Sequence, residues 1–315
     1  MRLDLAVARR FGLSRRAARD AVRAGRVESG GQVSDEPGTE VADDVELSYD
    51  PNRPAQRRVR TRLTVLAEDP LFLIVDKPAG LLTVQTAEHE DDTLFARVLD
   101  YLQHRYRRRT WIGVVHRLDK ETSGALVFAR TREALRNLQE KFRAHAIERE
   151  YLALVEGDVR APGRFDAPLV SDRGDRRRGV ARRGEPGKRA VTHYRPLESF
   201  GRATLVSVRL ETGRTHQVRV HFASAGHPVI GDSVYRRGEA PHFVEVRRQM
   251  LHARVLGFEH PRTGAPVHAE APIPEDFGKA IAELRRRARK SAKDRTKKKP
   301  RETRGAGSKN RSLVR

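Results

Sequence analysis

"VVHRLDKETSGALVFAR", residues 114–130, sets a charged loop between two apolar runs. Val114-Val115 leads in and Ala125-Leu126-Val127-Phe128 leads out. Both runs are short, rich in branched or aromatic residues and bounded by turn residues, the pattern of strands in a packed sheet. A loop held at both ends by buried strands can present a side chain in a fixed place, which makes His116, Arg117, Asp119, Lys120 and Glu121 candidates for chemistry. A surface turn carrying a salt bridge would fit the same stretch, so the rest of the chain has to decide.

The chain has 315 residues, no cysteine and a net charge of +22. That length accommodates one large domain and a small one. Without cysteine there are no disulfides and no thiolate metal sites. No apolar run reaches the roughly 18 residues of a membrane span, and no signal-peptide pattern is present, so the expectation is a soluble cytoplasmic protein. The positive charge points to a polyanionic partner, nucleic acid ahead of membrane. It is unevenly placed. From Arg285 to Arg315 there are 15 Lys and Arg against Asp294 and Glu302, a net +13 that leaves +9 for the remainder. The segment 284–315, nearly devoid of apolar residues, is expected to be a disordered basic tail that meets phosphates without reading sequence.

Outward from the opening stretch, the chain divides into four. Residues 1–50 read as two short helices followed by short strands. Ser14 is a good N-cap for the second helix and Gly25 a good stop. Ala17, Ala18, Ala21 and Val22 make its buried side, with Arg15, Arg16, Arg19 and Arg23 as a basic face. Residues 51–61, "PNRPAQRRVRT", read as a linker. Residues 62–283 alternate strand-like and helix-like segments, and the tail follows. "TREALRNLQEKFRAHA" (131–146) is helical, "REYLALVEG" (149–157) and "ATLVSVRLETG" (203–213) are strands, and "THQVRVHFASAGH" (215–227) begins with strand-like alternation before turning helical.

Several of these blocks together resemble the RluA type of pseudouridine synthase. "HRLDKETSG" (116–124) matches that family's His-Arg-Leu-Asp-x-x-Thr-Ser-Gly signature at each fixed position. "REYLALVEG" matches its basic-x-Tyr-x-Ala-x-Val-x-Gly strand, with Arg149 where Lys is commoner. "ETGRTHQVRVHFASAGHPVIGDSVY" (211–235) matches its Thr-Gly-Arg-Thr-His-Gln and Gly-His-Pro-x-x-Gly-Asp blocks, and "RQMLHARVLGFEHPRTG" and "EAPIPEDF" match its closing strands. Asp76 in "DKPAG" departs from the usual Asn. Residues 1–50 are similar to an S4 RNA-binding domain, with "VESGGQV" departing from the usual hairpin turn.

The resemblance implies an α+β fold: a large mixed, mostly antiparallel sheet flanked by helices and crossed by an RNA cleft, with a small S4-like α/β domain before it. It implies isomerisation of uridine to pseudouridine in RNA, ribosomal RNA ahead of tRNA, by a monomer that uses no cofactor. Asp119 is then the catalytic carboxylate, Arg219 its partner with Arg214 as second choice, and Tyr151 the aromatic that stacks on the target uracil. Arg117 can enter the space a flipped base leaves, His116 braces the loop, and His216 and Gln217 lie in an RNA-contacting block. Lys77 and Gly80 shape a turn, and Arg182, Arg183, Lys188 and Arg189 are placed to touch phosphate. His216, His221 and His227 have no standard ligand spacing, so no metal is expected. A non-catalytic RNA-binding protein on the same fold is the competing reading; intact Asp119, Tyr151 and Arg219 speak against it.

Overall fold

The computed structural model describes residues 1–53, 63–86, 90, 92–108, 110–172, 177–236 and 244–298. It contains two compact units, Met1–Arg62 and Leu63–Arg315.

The first unit holds α1 (Leu3–Phe11), α2 (Arg15–Arg23), β1 (Val27–Ser29), β2 (Gln32–Ser34) and β3 (Leu47–Tyr49). The strands form an antiparallel sheet in the order β2-β1-β3. Ser14 Oγ accepts from Ala17 N at 3.1 Å and starts α2, while Gly25, at φ 65°, follows its end. The core is Leu3, Val7, Ala18, Ala21, Val22 and Val27. Ala17, expected inside, is exposed; the inward face is the narrower 18-21-22 stripe, because a small core needs no more. Arg15 and Arg16 are exposed, Arg19 and Arg23 half-buried, and Arg19 turns its guanidinium to within 3.5 Å of the buried Asp4 carboxylate. The start of the expected linker belongs to this unit: Arg53 donates to Glu28 at 2.6 Å, and its carbonyl accepts from Arg26. Residues 54–61, the rest of that linker, lie outside the described residues, as does residue 62.

The second unit comprises β4 (Thr64–Glu68), β5 (Phe72–Lys77), α3 (Leu94–Tyr106), β6 (Gly113–Val114), β7 (Ser123–Ala129), α4 (Arg132–Arg143), β8 (Glu148–Glu156), β9 (Gly163–Asp166), β10 (Leu169–Val170), β11 (Gly179–Val180), β12 (Val191–Ser199), β13 (Ala203–Leu210), α5 (Gln217–Ser224), β14 (Leu251–Glu259), β15 (Pro266–Glu270) and α6 (Glu275–Lys298). The large sheet runs β4-β5-β7-β14-β8-β13-β12-β9, with β15 on β14 and β6 on β7; β10 and β11 pair apart. Its pairs are antiparallel except β14 with β7. This is the mixed, mostly antiparallel sheet expected.

β7 shows why. Each of its residues is buried, and period-two geometry sends them to opposite faces. Leu126 and Phe128 join the core under α3 with Leu73, Val98, Leu102 and Tyr151. Ala125, Val127 and Ala129 join the core under α4 with Ala134, Leu138 and Leu256. A strand covered on both faces is a continuous apolar run, which is what the sequence shows. Gly124, at φ 119°, lies so close to β14 that a Cβ would meet Ala253 O at 2.1 Å. That contact explains the glycine of the Thr-Ser-Gly turn.

Two elements differ from the sequence reading. Strand-like alternation was expected at the start of 215–227, but Gln217–Ser224 is helix α5. Residues 217–222 are all buried, so the helix has no polar stripe to reveal its period. The tail from 284, expected to be disordered, continues α6 to Lys298. Phe277, Ala280, Ile281 and Leu284 are buried at helical spacing. Beyond them Arg285 pairs with Glu198, and Glu283 with Arg286 and Arg287, so the basic run is anchored at its root. Residues 299–315 lie outside the described residues.

Candidate active site

The charged loop between β6 and β7 is fixed from several sides. Lys77, fully buried at the end of β5, donates through Nζ to Lys120 O at 2.8 Å and Thr122 O at 2.7 Å. Gly80 N donates to Lys120 O, and Thr83 Oγ1 donates to Leu118 O and accepts from Leu118 N. From the other side Arg248 Nη1 donates to Glu121 O and Gln249 Nε2 to Thr122 Oγ1. His116 accepts from Val127 N through Nε2 and stacks on Phe142 at 4.6 Å between centroids. Burial, assisted by Arg149, pushes its pKa down to about 3, so the imidazole stays neutral and serves as a brace.

Burial also lowers Lys77, to about 7, against the pull of Glu121 and Asp119. Between pH 7 and the ordinary lysine value the unfolded chain therefore holds a proton that the folded chain releases. Lys77 thus makes folding more favourable as pH rises through that window. Lys77→Met should remove this rise, read as the difference in Tm between pH 7 and pH 9 for both proteins. An equal rise in the variant would show that the ionisation lies elsewhere.

Held in this way, Asp119 keeps its carboxylate partly exposed and bonded to one guanidinium: Arg219 Nη1 donates to Asp119 Oδ2 at 3.0 Å. Arg219 is itself clamped by a residue the sequence reading missed. Asp232, 1% exposed, accepts from Arg219 Nε at 2.7 Å and Nη2 at 2.9 Å. The bidentate clamp takes one edge of the guanidinium and leaves Nη1 for Asp119. Burial alone would raise the pKa of Asp232, but the bonds and charge of Arg219, with the N–H groups of Val234 and Tyr235, hold it below the usual carboxylate range. Burial likewise opposes the charge on Arg219, and the two carboxylates reverse that opposition.

His216 caps the start of α5 in the left-handed region, φ 59°, where a non-glycine residue is strained. Its Nδ1 meets Tyr235 Oη at 2.7 Å and its Nε2 lies 3.8 Å from Asp119 Oδ1. Burial lowers its pKa although Asp119 pulls it up.

Asp119, Arg219 and His216 line a cleft of about 1110 Å³ together with Tyr151, Arg149, Arg117 and Arg214. Tyr151 comes from β8 and is 8% exposed; burial raises its pKa, so the phenol keeps its proton. Arg149, two residues earlier, donates through Nη2 to Leu210 O and Glu211 O and lies over the Phe142 ring. Arg117 is exposed at the cleft, and Arg214 is half-committed through Nε to Arg189 O.

Gln217, expected among the RNA-contacting residues, is turned inward. It is 2% exposed; its oxygen accepts from Thr212 and Arg214 N, and its nitrogen donates to Val191 O and Thr192. Both ends of the amide are used within the fold. His221 bonds Thr192 and Ala167 O, and His227 bonds Glu156 O, so the neighbouring histidines go to separate structural partners. Arg189 pairs with Glu211 outside the cleft lining, and Lys188 closes a backbone pair with Leu169. Asp232 left one signal: an Arg in an apolar stretch needs more than one acceptor, and "GDSVY" supplies the nearest buried carboxylate.

A carboxylate and guanidinium pair and a buried phenol share a cleft edged by arginine, groups of the class able to hold an anionic substrate and move protons on it. Comparison with known proteins makes that class specific. Residues 71–224 match the model of the RNA pseudouridylate synthase family and residues 1–47 that of the S4 domain. The ribosomal large subunit pseudouridine synthase D of Zymomonas mobilis is 41% identical over 223 residues, 68% of this chain and 70% of that protein. Its namesake in Vibrio parahaemolyticus is 34% identical over 302 residues, 90% and 91% of the two chains. The solved structure of human RNA pseudouridylate synthase domain containing 4 superposes with a TM-score of 0.60 at 25% identity, over 70% of this chain and 93% of that one. The chain belongs to the RNA pseudouridylate synthase family and is an RNA pseudouridine synthase with an S4 domain at its N-terminus.

Proposed function

We propose that this enzyme converts specific uridines of large-subunit ribosomal RNA to pseudouridine in the cytoplasm, with Asp119 as the catalytic carboxylate. The observation that carries the assignment is the guanidinium of Arg219, clamped by buried Asp232 and offering Nη1 to Asp119 at 3.0 Å. The clamp fixes the guanidinium, and through it the orientation of the carboxylate in a partly closed cleft. The names of the relatives support ribosomal RNA as the substrate.

The reaction breaks the bond from C1′ of the ribose to N1 of uracil, turns the base, and forms a bond from C1′ to C5. The C5 proton is lost and N1, freed from the ribose, gains one, so atoms and electrons balance without redox chemistry or transfer to a second molecule. A base must leave the stack to be turned, and an aromatic face is the usual support for a flipped base. Tyr151, in the lining of the cleft, supplies that face, and its hydroxyl relays the C5 proton by giving up its own as it takes the other. Arg117 fills the gap in the RNA, His116 braces the loop, and His216 and Arg214 line the entrance. Arg15 and Arg16 on α2, with Arg19 and Arg23 beside them, meet phosphates.

Tyr151→Phe should keep RNA affinity within about threefold and lose about 10²-fold or more in turnover, the usual scale for a proton-transfer group. Turnover at the wild-type rate would leave Tyr151 with stacking alone. The function is tested by incubating the purified enzyme with unmodified large-subunit ribosomal RNA and, separately, with tRNA, no cofactor added. Pseudouridine in the ribosomal RNA is expected; pseudouridine in tRNA alone would overturn the substrate.

A further inference from the structure

α4 carries a feature that the active site does not use. Arg132, Arg136, Gln139 and Arg143 follow at steps of four, three and four, which places them on one stripe of the helix. Arg132, Arg136 and Arg143 are exposed, and among the described residues none of the three forms an ion pair. The opposite face of the helix buries Ala134 and Leu138. Glu133 and Glu140 lie about a quarter-turn off the stripe. At its C-terminal end the stripe enters the cleft, which Gln139 and Arg143 line.

About 16 Å away, at the N-terminal end of α4, the stripe meets Trp111. The Arg132 guanidinium lies 5.9 Å from the indole. Trp111 is 40% exposed, unusual for the largest apolar side chain, and it is the chain's only tryptophan. The ring has a fixed seat: a Cβ on Gly113 would come within 2.7 Å of it, so the glycine makes room for the indole against β6. An exposed, seated aromatic at the end of a row of unpaired cations is the arrangement that binds unpaired nucleic acid, by charge along the backbone and by stacking on a base.

We propose that the outer face of α4 and Trp111 form a second contact surface for the RNA, a track along which a single-stranded segment runs outward from the cleft. Arg143, Arg136 and Arg132 meet its phosphates and one base stacks on Trp111. The track extends the reading of the cleft as an RNA site and rests on that reading. It contacts the backbone and the π-face of a base, so it adds affinity and reach without choosing the uridine. The chemistry of the occupant is fixed by charge: a row of cations requires a polyanion, and an exposed indole face requires an unpaired base.

Because Trp111 is the single tryptophan, its fluorescence reports the far end of the track alone. The experiment titrates the full-length enzyme with oligouridylates of four and twelve nucleotides, following tryptophan emission and the anisotropy of end-labelled RNA. The twelve-mer should quench the emission and the four-mer should not. R132Q/R136Q should bind the twelve-mer at least about fivefold more weakly, with a log affinity against log salt slope shallower by about 1.4, two single-strand phosphates. Trp111→Ala should lose about tenfold, within the range for one stacked base, and Trp111→Phe much less. All these variants should keep turnover at saturating RNA within about twofold of wild type.

Unquenched emission at saturating twelve-mer, no binding of the twelve-mer, or wild-type affinity and slope in R132Q/R136Q would each overturn the track. So would tighter binding and equal quenching by a twelve-base-pair RNA duplex. Failure of the underlying function has a different signature: a wild-type enzyme that forms no pseudouridine in ribosomal RNA or tRNA, whatever the twelve-mer does.

Discussion

Asp119→Asn should lose turnover by at least about 10³-fold, roughly 4 kcal/mol of transition-state stabilisation, with RNA affinity within a few fold of wild type. The substitution is close to isosteric, and the loop around it is held by others: Lys77 on Lys120 O and Thr122 O, Thr83 on Leu118, and Arg248 on Glu121 O. The amide oxygen can still accept from Arg219 Nη1, the bond that Asp119 Oδ2 takes at 3.0 Å. What disappears is the negative charge. The comparison thus isolates the carboxylate from the geometry that presents it. Release of tritium from C5-labelled uridine in RNA measures it. A verified Asp119→Asn protein within about tenfold of wild type would remove Asp119 from the chemistry.

The second large effect belongs to Arg219. Arg219→Met takes the counter-ion from Asp232, which is 1% exposed, and the holding bond from Asp119. Leaving a buried charge alone costs about 3–5 kcal/mol, so the variant should be markedly less stable as well as at least about 10²-fold slower. The pH dependence carries a sign. In the wild type Asp232 sits below the usual carboxylate range, so its contribution is present above about pH 4 and lost as pH falls through its folded value. Without Arg219, burial raises Asp232, and protonation now relieves the variant. The stability gap between the two proteins should therefore narrow below about pH 5, read by denaturant unfolding at several pH values. Arg219→Met/Asp232→Asn should recover stability but not turnover. Recovery of both would show that Arg219 serves packing alone.

How much of this was legible depended on distance along the chain. The β7 run and the Thr-Ser-Gly turn are local: a strand buried on both faces is uniformly apolar, and Gly124 at φ 119° is a single-position constraint. Asp119 and Tyr151 stand out because their neighbours form fixed patterns. Arg219 was named, but its geometry was not, since its partners lie 100 and 13 residues away. No local period marks Asp232 as the group that aims the guanidinium.

Secondary structure departed from expectation where packing overrode pattern. Val218, Val220 and Phe222 alternate like a strand, yet every residue between 217 and 222 is buried, so the alternation separates no faces. Gln217 looked like an RNA-facing amide and is a four-bonded internal one. The tail's composition resembles a disordered chain, but its first residues inherit the helical phase of Phe277, Ala280, Ile281 and Leu284. Composition reports the average environment of a segment; it misses the register imposed by the element before it.

The most direct test of Asp119 as the catalytic group of a ribosomal RNA enzyme is a map of pseudouridines across ribosomal RNA and tRNA. The RNA comes from cells carrying the wild-type gene or the Asp119→Asn form. One or a few positions of large-subunit ribosomal RNA should lose pseudouridine in the Asp119→Asn strain, with every tRNA position unchanged. Identical maps from the two strains would contradict that assignment.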